Sequence, residues 1–421
     1  MRSRTPASLA LCLLLALPGC STAPPTDREA PAPHPSATAG TPLPDGVDYR
    51  EFEHGFGRGE TSHVRVVSVR PDARARVAGA HGPALARTRT VRETAVAGGA
   101  VAAVNGGFFD VHTGRHHGGY EGDAIGLYVE GGRLLSEATN GRAALLLGHE
   151  GGRMSARIEE VSVRGRLRTD DNATRELDGV NRLPGRVLGC GGVGGDRVAD
   201  TEEFMEAPYG GLCTDASEIV SFTPEWGERT PAGPPGSAEA VLDRDGRVVD
   251  VRRPAGGPVP EDGTTLYGIG SGAGWLREHA PRGSGVLRSV RLWDEAGRPV
   301  EGRVDTAVGG SHRLLRDGRV TVGPTAARGI RAPRTLAGVT ADGTLLLVTV
   351  DGRKPGVDSG ATAQEAARLM ASLGATAAVN LDGGGSTTMV VGGVVRNTPR
   401  GVDGSEGVER PVADVLAVYP E

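Results

Sequence analysis

Three consecutive segments near the C-terminus set the architecture of this chain: TLLLVTVDG at 344–352, ATAQEAARLMASLG at 361–374 and TAAVNL at 376–381. The first and last are aliphatic and β-branched runs typical of buried strands. In the middle segment, Thr362 and Glu365 form a capping box that predicts a helix start, and Gly374 follows its last apolar turn. This order predicts a right-handed crossover unit with parallel strands.

Most of the remaining chain alternates between apolar and polar residues in the manner of strands, as in HVRVVSVRP at 63–71 and AIGLYVEGGRLL at 124–135. Glycine-containing turns such as 130–132 and 341–343 join several of these runs. Helical patterns are scarce. We therefore predict an α+β fold, a strand-rich mixed-sheet domain with a few short helices and at least one β-α-β crossover.

The sequence repeats one pattern faintly. GGAVAAVNGGFFD at 98–110 and LGATAAVNLDGGGS at 373–386 each place Ala-Ala-Val-Asn on a predicted strand and follow it with glycines. A short helical segment, VRETAVAGG, precedes the first copy. The repetition predicts two similarly built strand-to-loop corners.

Composition limits the function. The 421 residues include 67 glycines, and the formal net charge is only -5, with acids and bases interspersed. Without a basic stripe to neutralise phosphates, nucleic acid is not an expected partner. Between residues 47 and 421 we find no linker-like segment, which predicts one domain with its core at about 60–419.

The N-terminus has the pattern of an export signal. Arg2 and Arg4 precede an apolar stretch that ends in Leu17-Pro18-Gly19-Cys20, similar to a lipobox. This predicts a lipoprotein signal peptide over 1–20, a lipid anchor on Cys20 at the outer side of the membrane, and a Pro/Ala/Ser/Thr-rich tether over 21–46. Because Pro18 departs from the usual small residue, secretion without a lipid remains an alternative.

Cys190 and Cys213 are the two cysteines left in the predicted domain. In an exported chain they are expected to form a disulfide, worth about 3 kcal/mol for a loop of this size. Two buried free thiols are the alternative.

Two Asp-Gly loops follow the strands of the crossover unit. If those strands are parallel neighbours, Asp351 and Asp382 lie at the same sheet edge, where ligands gather. An Asp-Gly pair alone predicts only a turn, and that interpretation is favoured for Asp351 by itself. The loop after Asp382 is more informative, because consecutive glycines cost backbone entropy and allow N–H groups to approach an anion.

At this point a family resemblance appears. RTLAGVTADGTLLLVTVDGR and AAVNLDGGGSTTMVV, within 334–391, look like the signature of the phosphodiester glycosidases, the family that includes N-acetylglucosamine-1-phosphodiester α-N-acetylglucosaminidase. NGGFFD at 105–110, DGVNR at 178–182 and Glu409-Arg410-Pro411-Val412 resemble further family blocks in the same order.

The resemblance implies hydrolysis of the sugar C1–O bond of glycosyl-1-phosphodiesters, without a cofactor or metal. A carboxylate must then stabilise the sugar carbon, activate water or attack directly. Asp382 is the first candidate and Asp351 the second. Arg334 and Arg410 are candidates for binding phosphate, because guanidinium binds it in a bidentate manner. An exposed edge charge is the alternative for Arg334.

The remaining predicted substrate-binding residues come from the same blocks and their neighbours. The amides of Asn105 and Asn380 either bind sugar hydroxyls or cap turns. Ser386 and Thr387 either donate to phosphate or cap the next segment. The full set of further candidates is Asn105, Asn380, Gly383, Gly384, Ser386, Thr387, His312 and Glu409.

His112, His116 and His117 lie in a loop-like arrangement that does not match a zinc helix, which favours a solvated or substrate-facing loop over a metal site. Two other functions remain open. One is a cell-envelope module that binds an anionic glycopolymer without cutting it, and the other is a phosphodiesterase that cuts the P–O bond.

Overall fold

The computed structural model describes residues 42–57, 59–110, 122–138, 142–188, 197–198, 212–323, 329–401 and 403–421. All of them belong to one compact unit, residues 38–421. The predicted signal peptide, Cys20 and residues 21–41 of the predicted tether lie outside the described residues, as do Cys190 and the histidines at 112, 116 and 117. The predicted disulfide and lipid anchor therefore stay predictions. Leu43, at the end of the predicted tether segment, packs against the core.

The first half of the chain contains strands β1 (Val47–Gly57), β2 (Glu60–Val69), β3 (Ala75–His81), β4 (Ala102–Asn105), β5 (Phe108–Phe109), β6 (Ala124–Ile125), β7 (Tyr128–Glu130), β8 (Arg133–Ser136), β9 (Arg142–Glu150), β10 (Arg153–Thr169), β11 (Thr174–Leu177), β12 (Gly179–Val180), β13 (Arg186–Leu188), β14 (Arg197–Val198) and β15 (Leu212–Thr214). The second half contains β16 (Ile219–Phe222), β17 (Ala238–Leu242), β18 (Val248–Arg252), β19 (Thr264–Gly268), β20 (Val286–Asp294), β21 (Thr306–Gly309), β22 (Arg313–Arg316), β23 (Arg319–Val320), β24 (Arg334–Thr340), β25 (Leu345–Val350), β26 (Ala375–Asn380), β27 (Met389–Val391), β28 (Val394–Val395) and β29 (Asp414–Pro420).

The described helices are short: α1 (Val91–Gly98), α2 (Gly270–His279) and α3 (Ala363–Ser372), with 3-10 turns at Pro224–Trp226 and Gly384–Ser386. Both α1 and α3 begin with a capping box, made by Thr90 with Glu93 and by Thr362 with Glu365, of which the sequence predicts the second. None of the described helices has the length and hydropathy needed to cross a bilayer. The strand-rich content with few helices agrees with the predicted class.

The strands form several sheets. Sheet A has the order β1-β2-β25-β24-β26-β22-β23, and sheet B the order β28-β27-β4-β29-β3. Sheet C has the order β11-β10-β9-β21-β7-β8, with β20 also paired to β10, and sheet D the order β12-β16-β19-β17-β18. Smaller sheets join β13-β15-β14 and β5-β6. Among the described ladders, β12 with β16 is the one parallel pair.

The strands of the predicted crossover unit are not neighbours. β24 lies between β25 and β26 and pairs with both in antiparallel fashion. The two strands therefore run in the same direction, but they do not pair directly, which was the condition for placing Asp351 and Asp382 at one sheet edge. β24 and β25 form a hairpin, so β24 provides the backbone hydrogen bonds for one edge of β25. β26 pairs with the other edge of β24.

Sheet A is buried on both faces, which explains its nearly continuous apolar strands. One face packs against sheet B and β9 in a core that includes Val67, Val104, Leu145, Leu347 and Leu416. The other face packs against α3 through a core that includes Val66, Leu336, Val348, Ala366 and Leu369. Truncating such a buried leucine to alanine costs about 2–5 kcal/mol. The junction between sheets A and B is thus rigid, and the Asp382 loop leaves from it.

Candidate active site

The two echoed corners of the sequence meet in space. Each consists of a capped helix, a strand that ends in asparagine and a glycine-containing loop, with Asn105 ending β4 and Asn380 ending β26. The Asn105 amide nitrogen donates to the Asp382 carbonyl at 2.7 Å, and the Asp382 N–H donates to the Gly106 carbonyl at 3.1 Å. The corner of sheet A and the corner of sheet B are therefore joined by hydrogen bonds, and Asp382 lies where they meet.

Asn105 is fully buried and fully engaged. Its amide oxygen accepts hydrogen bonds from the Thr335 hydroxyl at 2.6 Å and the Thr388 N–H at 3.1 Å. Of the two alternatives left by the sequence, the contacts favour the turn-holding role over direct binding of a sugar hydroxyl. Asn105 therefore positions the backbone that carries Asp382.

Asp382 is a partly exposed carboxyl group held by its own loop. Its Oδ1 accepts a hydrogen bond from the Gly383 N–H at 2.8 Å, and the Ser386 hydroxyl also bonds to it. Burial raises the pKa of Asp382 to about 6, against the opposing effects of the Ser386 hydrogen bond and the Arg410 charge. Such a group changes charge close to neutral pH, as is common for catalytic carboxyls.

Contrary to what the sequence suggested, three backbone N–H groups of the glycine-rich loop are not arranged to bind an anion. The N–H groups of Gly384, Ser386 and Thr387 donate to the carbonyls of residues 333, 383 and 384. Because these hydrogen bonds lie within the protein, the three N–H groups do not point to a bound anion. The glycines instead make room for cations. A Cβ added to Gly384 would lie 2.8 Å from Arg353 Nη2, and one added to Gly385 would lie 2.8 Å from Arg410 Nη2.

Two guanidinium groups consequently lie against the loop that carries Asp382. Arg410 also contacts the Ser386 hydroxyl at 3.5 Å, and Arg353 donates to the Arg400 carbonyl at 2.9 Å. Burial, followed by the like charge of Arg410, lowers the pKa of Arg353. Arg410 is where the sequence predicts a phosphate ligand, whereas Arg353 was not among the predicted residues.

Asp414, the first residue of β29, lies behind the other corner. Its Oδ1 accepts a hydrogen bond from the Gly107 N–H at 2.8 Å, and a Cβ added to Gly106 would fall only 2.0 Å from that oxygen. Burial raises the pKa of Asp414 to about 7, and the charge of Asp382 adds to the increase. Asp414 is thus a buried carboxyl group near Asp382 that the sequence did not reveal.

Asp351 is placed as the partner of a buried arginine. Its Oδ2 accepts a hydrogen bond from Arg65 Nη1 at 2.7 Å, and both carboxylate oxygens accept from the Thr398 N–H at 3.2 and 3.3 Å. Burial raises its pKa, and Arg65 opposes that increase. These contacts fix the corner from which Arg353 extends.

Four of the other predicted residues are tied to partners away from the Asp382 carboxylate. Arg334 donates to the carbonyls of Ala361 and Ile330 at 2.8 and 3.0 Å, and the Asn380 amide nitrogen donates to the Ser311 hydroxyl at 2.9 Å. His312 Nδ1 lies 3.1 Å from that same hydroxyl, and Glu409 pairs with Arg92 at 3.1 Å. Ser386 and Thr387 are buried within the loop.

The DGVNR block forms a charged core of its own. Arg182 pairs with Glu137 at 2.6 Å and with the fully buried Glu218 at 2.6 Å, which explains this block as a structural junction. Within the part of the chain that the structure describes, no group of three or more His, Cys, Asp or Glu side chains is arranged to hold a metal ion.

Two signals pointed toward the missed residues. Arg353 directly follows the Asp351-Gly352 pair that drew attention in the sequence, and Asp414 opens the last strand four residues after Arg410. Both are separated from Asp382 by tens of residues, so only the meeting of the loops reveals their proximity.

Comparisons with known proteins relate the C-terminal part of the chain to a known family. Residues 237–419 match the model of the phosphodiester glycosidase family. One similar solved structure is a protein from Burkholderia pseudomallei K96243 that is named as an exported protein. It is 31% identical to this chain, with a TM-score of 0.74. The match covers 86% of this chain and 74% of the Burkholderia chain. No curated protein matches the chain.

Two further solved structures are more distant. A Synechocystis protein shares the fold, with a TM-score of 0.66 and 19% identity, over 89% of this chain and 62% of its own. The catalytic domain of zebrafish N-acetylglucosamine-1-phosphodiester α-N-acetylglucosaminidase reaches a TM-score of 0.41 at 15% identity, over 92% and 86%, from which we infer nothing. The match over 237–419, which includes the NLDGGGST loop at the site, relates this part of the chain to the phosphodiester glycosidase family.

Proposed function

We propose that this protein is an exported glycosidase that hydrolyses the C1–O bond of glycosyl-1-phosphodiesters, with Asp382 as its catalytic carboxylate. The observation that carries the proposal is the position of Asp382 beside Arg410, on a loop shared with the family signature. A negative group for the sugar carbon and a positive group for the phosphate are thereby held side by side.

The chemistry requires both groups. Departure of the phosphate leaves positive character at C1, which a carboxylate stabilises. The leaving group is already an acidic phosphate, so a cation assists it without a strong proton donor. With a pKa of about 6, Asp382 is ionised at neutral pH and is available for this role.

Asp351, the second candidate from the sequence, is assigned a positioning role. Arg65 and the Thr398 N–H occupy its oxygens, so it orients the 351–353 corner and leaves the reaction to Asp382. Its loss should therefore act through the corner that carries Arg353.

The decisive experiment replaces Asp382 with asparagine. Release of reducing sugar from a panel of sugar-1-phosphodiesters should fall by about 10²–10⁴-fold while the circular dichroism spectrum is unchanged. Asp72→Asn, at an exposed carboxylate, is the control and should retain full activity. Full turnover by the Asp382 variant would overturn the assignment. Sugar phosphate as the product would indicate P–O cleavage, and binding without any product would indicate a binding module.

Export and anchoring are part of the proposal. They are supported by the N-terminal pattern ending at Cys20 and by the name of the Burkholderia relative. A glycosyl phosphodiester or anionic glycopolymer of the cell envelope is the substrate class that such a location provides. Metabolic labelling with a fatty acid should modify the wild type and not Cys20→Ser, whereas labelling of both would exclude anchoring through Cys20.

A further inference from the structure

Arg353 and Arg410 place two positive charges on the same short loop. Their Nη2 atoms lie beside consecutive glycines, each 2.8 Å from where a Cβ would be at Gly384 or Gly385. A larger residue at either position would have to displace a guanidinium group. Gly384 and Gly385 therefore leave the space that the two cations occupy.

Two carboxylates interact electrostatically with this pair of cations, Asp382 with Arg410 and Asp403 with Arg353. Within the described residues, neither guanidinium makes a salt bridge within 4.0 Å. Two other acidic residues close by in sequence are paired elsewhere: Glu409 with Arg92, and Glu406 with Lys354 and Arg400. Two like charges that are partly removed from water are costly unless an anion compensates them.

We propose that Arg353 and Arg410 form a binding site for a phosphate dianion, through which the enzyme holds the phosphomonoester product more tightly than its phosphodiester substrate. This inference rests on the proposed function for the nature of the product. Hydrolysis breaks the C1–O bond, joins the oxygen of water to C1 and leaves a phosphomonoester. At pH 8 the proton released from water passes to solvent, and the product carries nearly two negative charges, whereas the diester carries one.

The backbone of Arg353 provides a clean variant. Its φ is +65°, in the left-handed region where glycine fits without strain. Arg353→Gly thus removes the cation while keeping the local conformation. Arg244→Gln is the matched control, because Arg244 is an exposed arginine paired with Asp262 on another sheet.

The test is calorimetric titration of the full chain at pH 8 with methyl phosphate and with dimethyl phosphate. The wild type should bind methyl phosphate at least tenfold more tightly than dimethyl phosphate. Arg353→Gly and Arg410→Gln should each weaken methyl phosphate binding at least tenfold, and Arg244→Gln should leave it unchanged. Equal affinity of the wild type for both ligands, or methyl phosphate binding that survives in both site variants, would overturn the proposal.

The measurement is independent of turnover. If Arg353→Gly melts at a lower temperature than the wild type, Arg353→Asn repeats the titration, since asparagine also tolerates the left-handed region. A preference for methyl phosphate that depends on both arginines, without cleavage of any glycosyl phosphodiester, would support the dianion site and reject the proposed function. If Asp382→Asn loses activity but the wild type shows no preference for methyl phosphate, the proposed function would be supported and the dianion site rejected.

Discussion

Gly106 shows how a single residue holds the site together. The Asp414 carboxylate occupies the space that a Cβ at Gly106 would need, and the Gly106 carbonyl accepts the hydrogen bond from the Asp382 N–H. The glycine is therefore required by a close approach between two loops. The sequence indicated a special corner at NGGFFD but not the carboxylate that fills it.

We predict that Gly106→Ala costs about 1–3 kcal/mol of unfolding free energy, the usual cost of overpacking. It should also reduce sugar release at least tenfold, because Asp382 shifts with the corner. Gly55→Ala is the control, since nothing lies within 4 Å of a Cβ there, and it should stay within about 0.5 kcal/mol of the wild type. Urea denaturation and the sugar-release assay check both parts, and a Gly106→Ala protein with wild-type stability and activity would contradict this explanation.

At the scale of elements, the unit that carries the site is a capped helix followed by a strand and a loop. The sequence defined both copies, because caps and alternation are local properties. It did not reveal that one copy lies in sheet A and the other in sheet B. It also suggested that β25 and β26 are neighbours, whereas β24 separates them.

The helix of the second unit stabilises the fold from the face of sheet A opposite to Asn105. Thr362→Ala removes the capping box at the start of α3 and should cost about 1 kcal/mol in urea denaturation. Because α3 packs on the other side of the sheet, kcat should change less than twofold. Ser289→Ala, at an exposed hydroxyl on β20, is expected to leave the stability unchanged. A large loss of activity in Thr362→Ala would show that the helix acts on the site.

At the scale of the whole molecule, buried carboxyl groups couple folding to pH. Burial raises the pKa of Asp414 to about 7, above its ordinary value of 3.8. Well below pH 3.8 the group is protonated in both the folded and unfolded chains. As the pH rises toward 7, the unfolded chain ionises first, so the folded state loses stability across this window.

The difference in unfolding free energy between the wild type and Asp414→Asn isolates this effect, since asparagine does not titrate. We expect the difference to become less favourable to the wild type from about pH 4 to 7 and to stay constant above that range. Urea denaturation of both proteins at intervals from pH 4 to 8.5 measures it. A difference that is flat with pH, or that rises, would show that Asp414 is already ionised in the folded protein.

The amino-acid sequence alone determined the strand-rich class and the two helix-strand-loop corners, because caps, alternation and glycine-rich loops express local preferences of the backbone. With the family resemblance, it also made Asp382 and Arg410 candidates for the site. Tertiary structure decided which arginine joins Arg410. The Thr335 hydroxyl faces Asn105, and successive side chains on a strand face opposite sides, so Arg334 is directed toward the α3 layer. Strand order brings the loop after β25 to the same edge and places Arg353 at the glycines. Such pairings depend on contacts between segments far apart along the chain, which local sequence patterns do not encode.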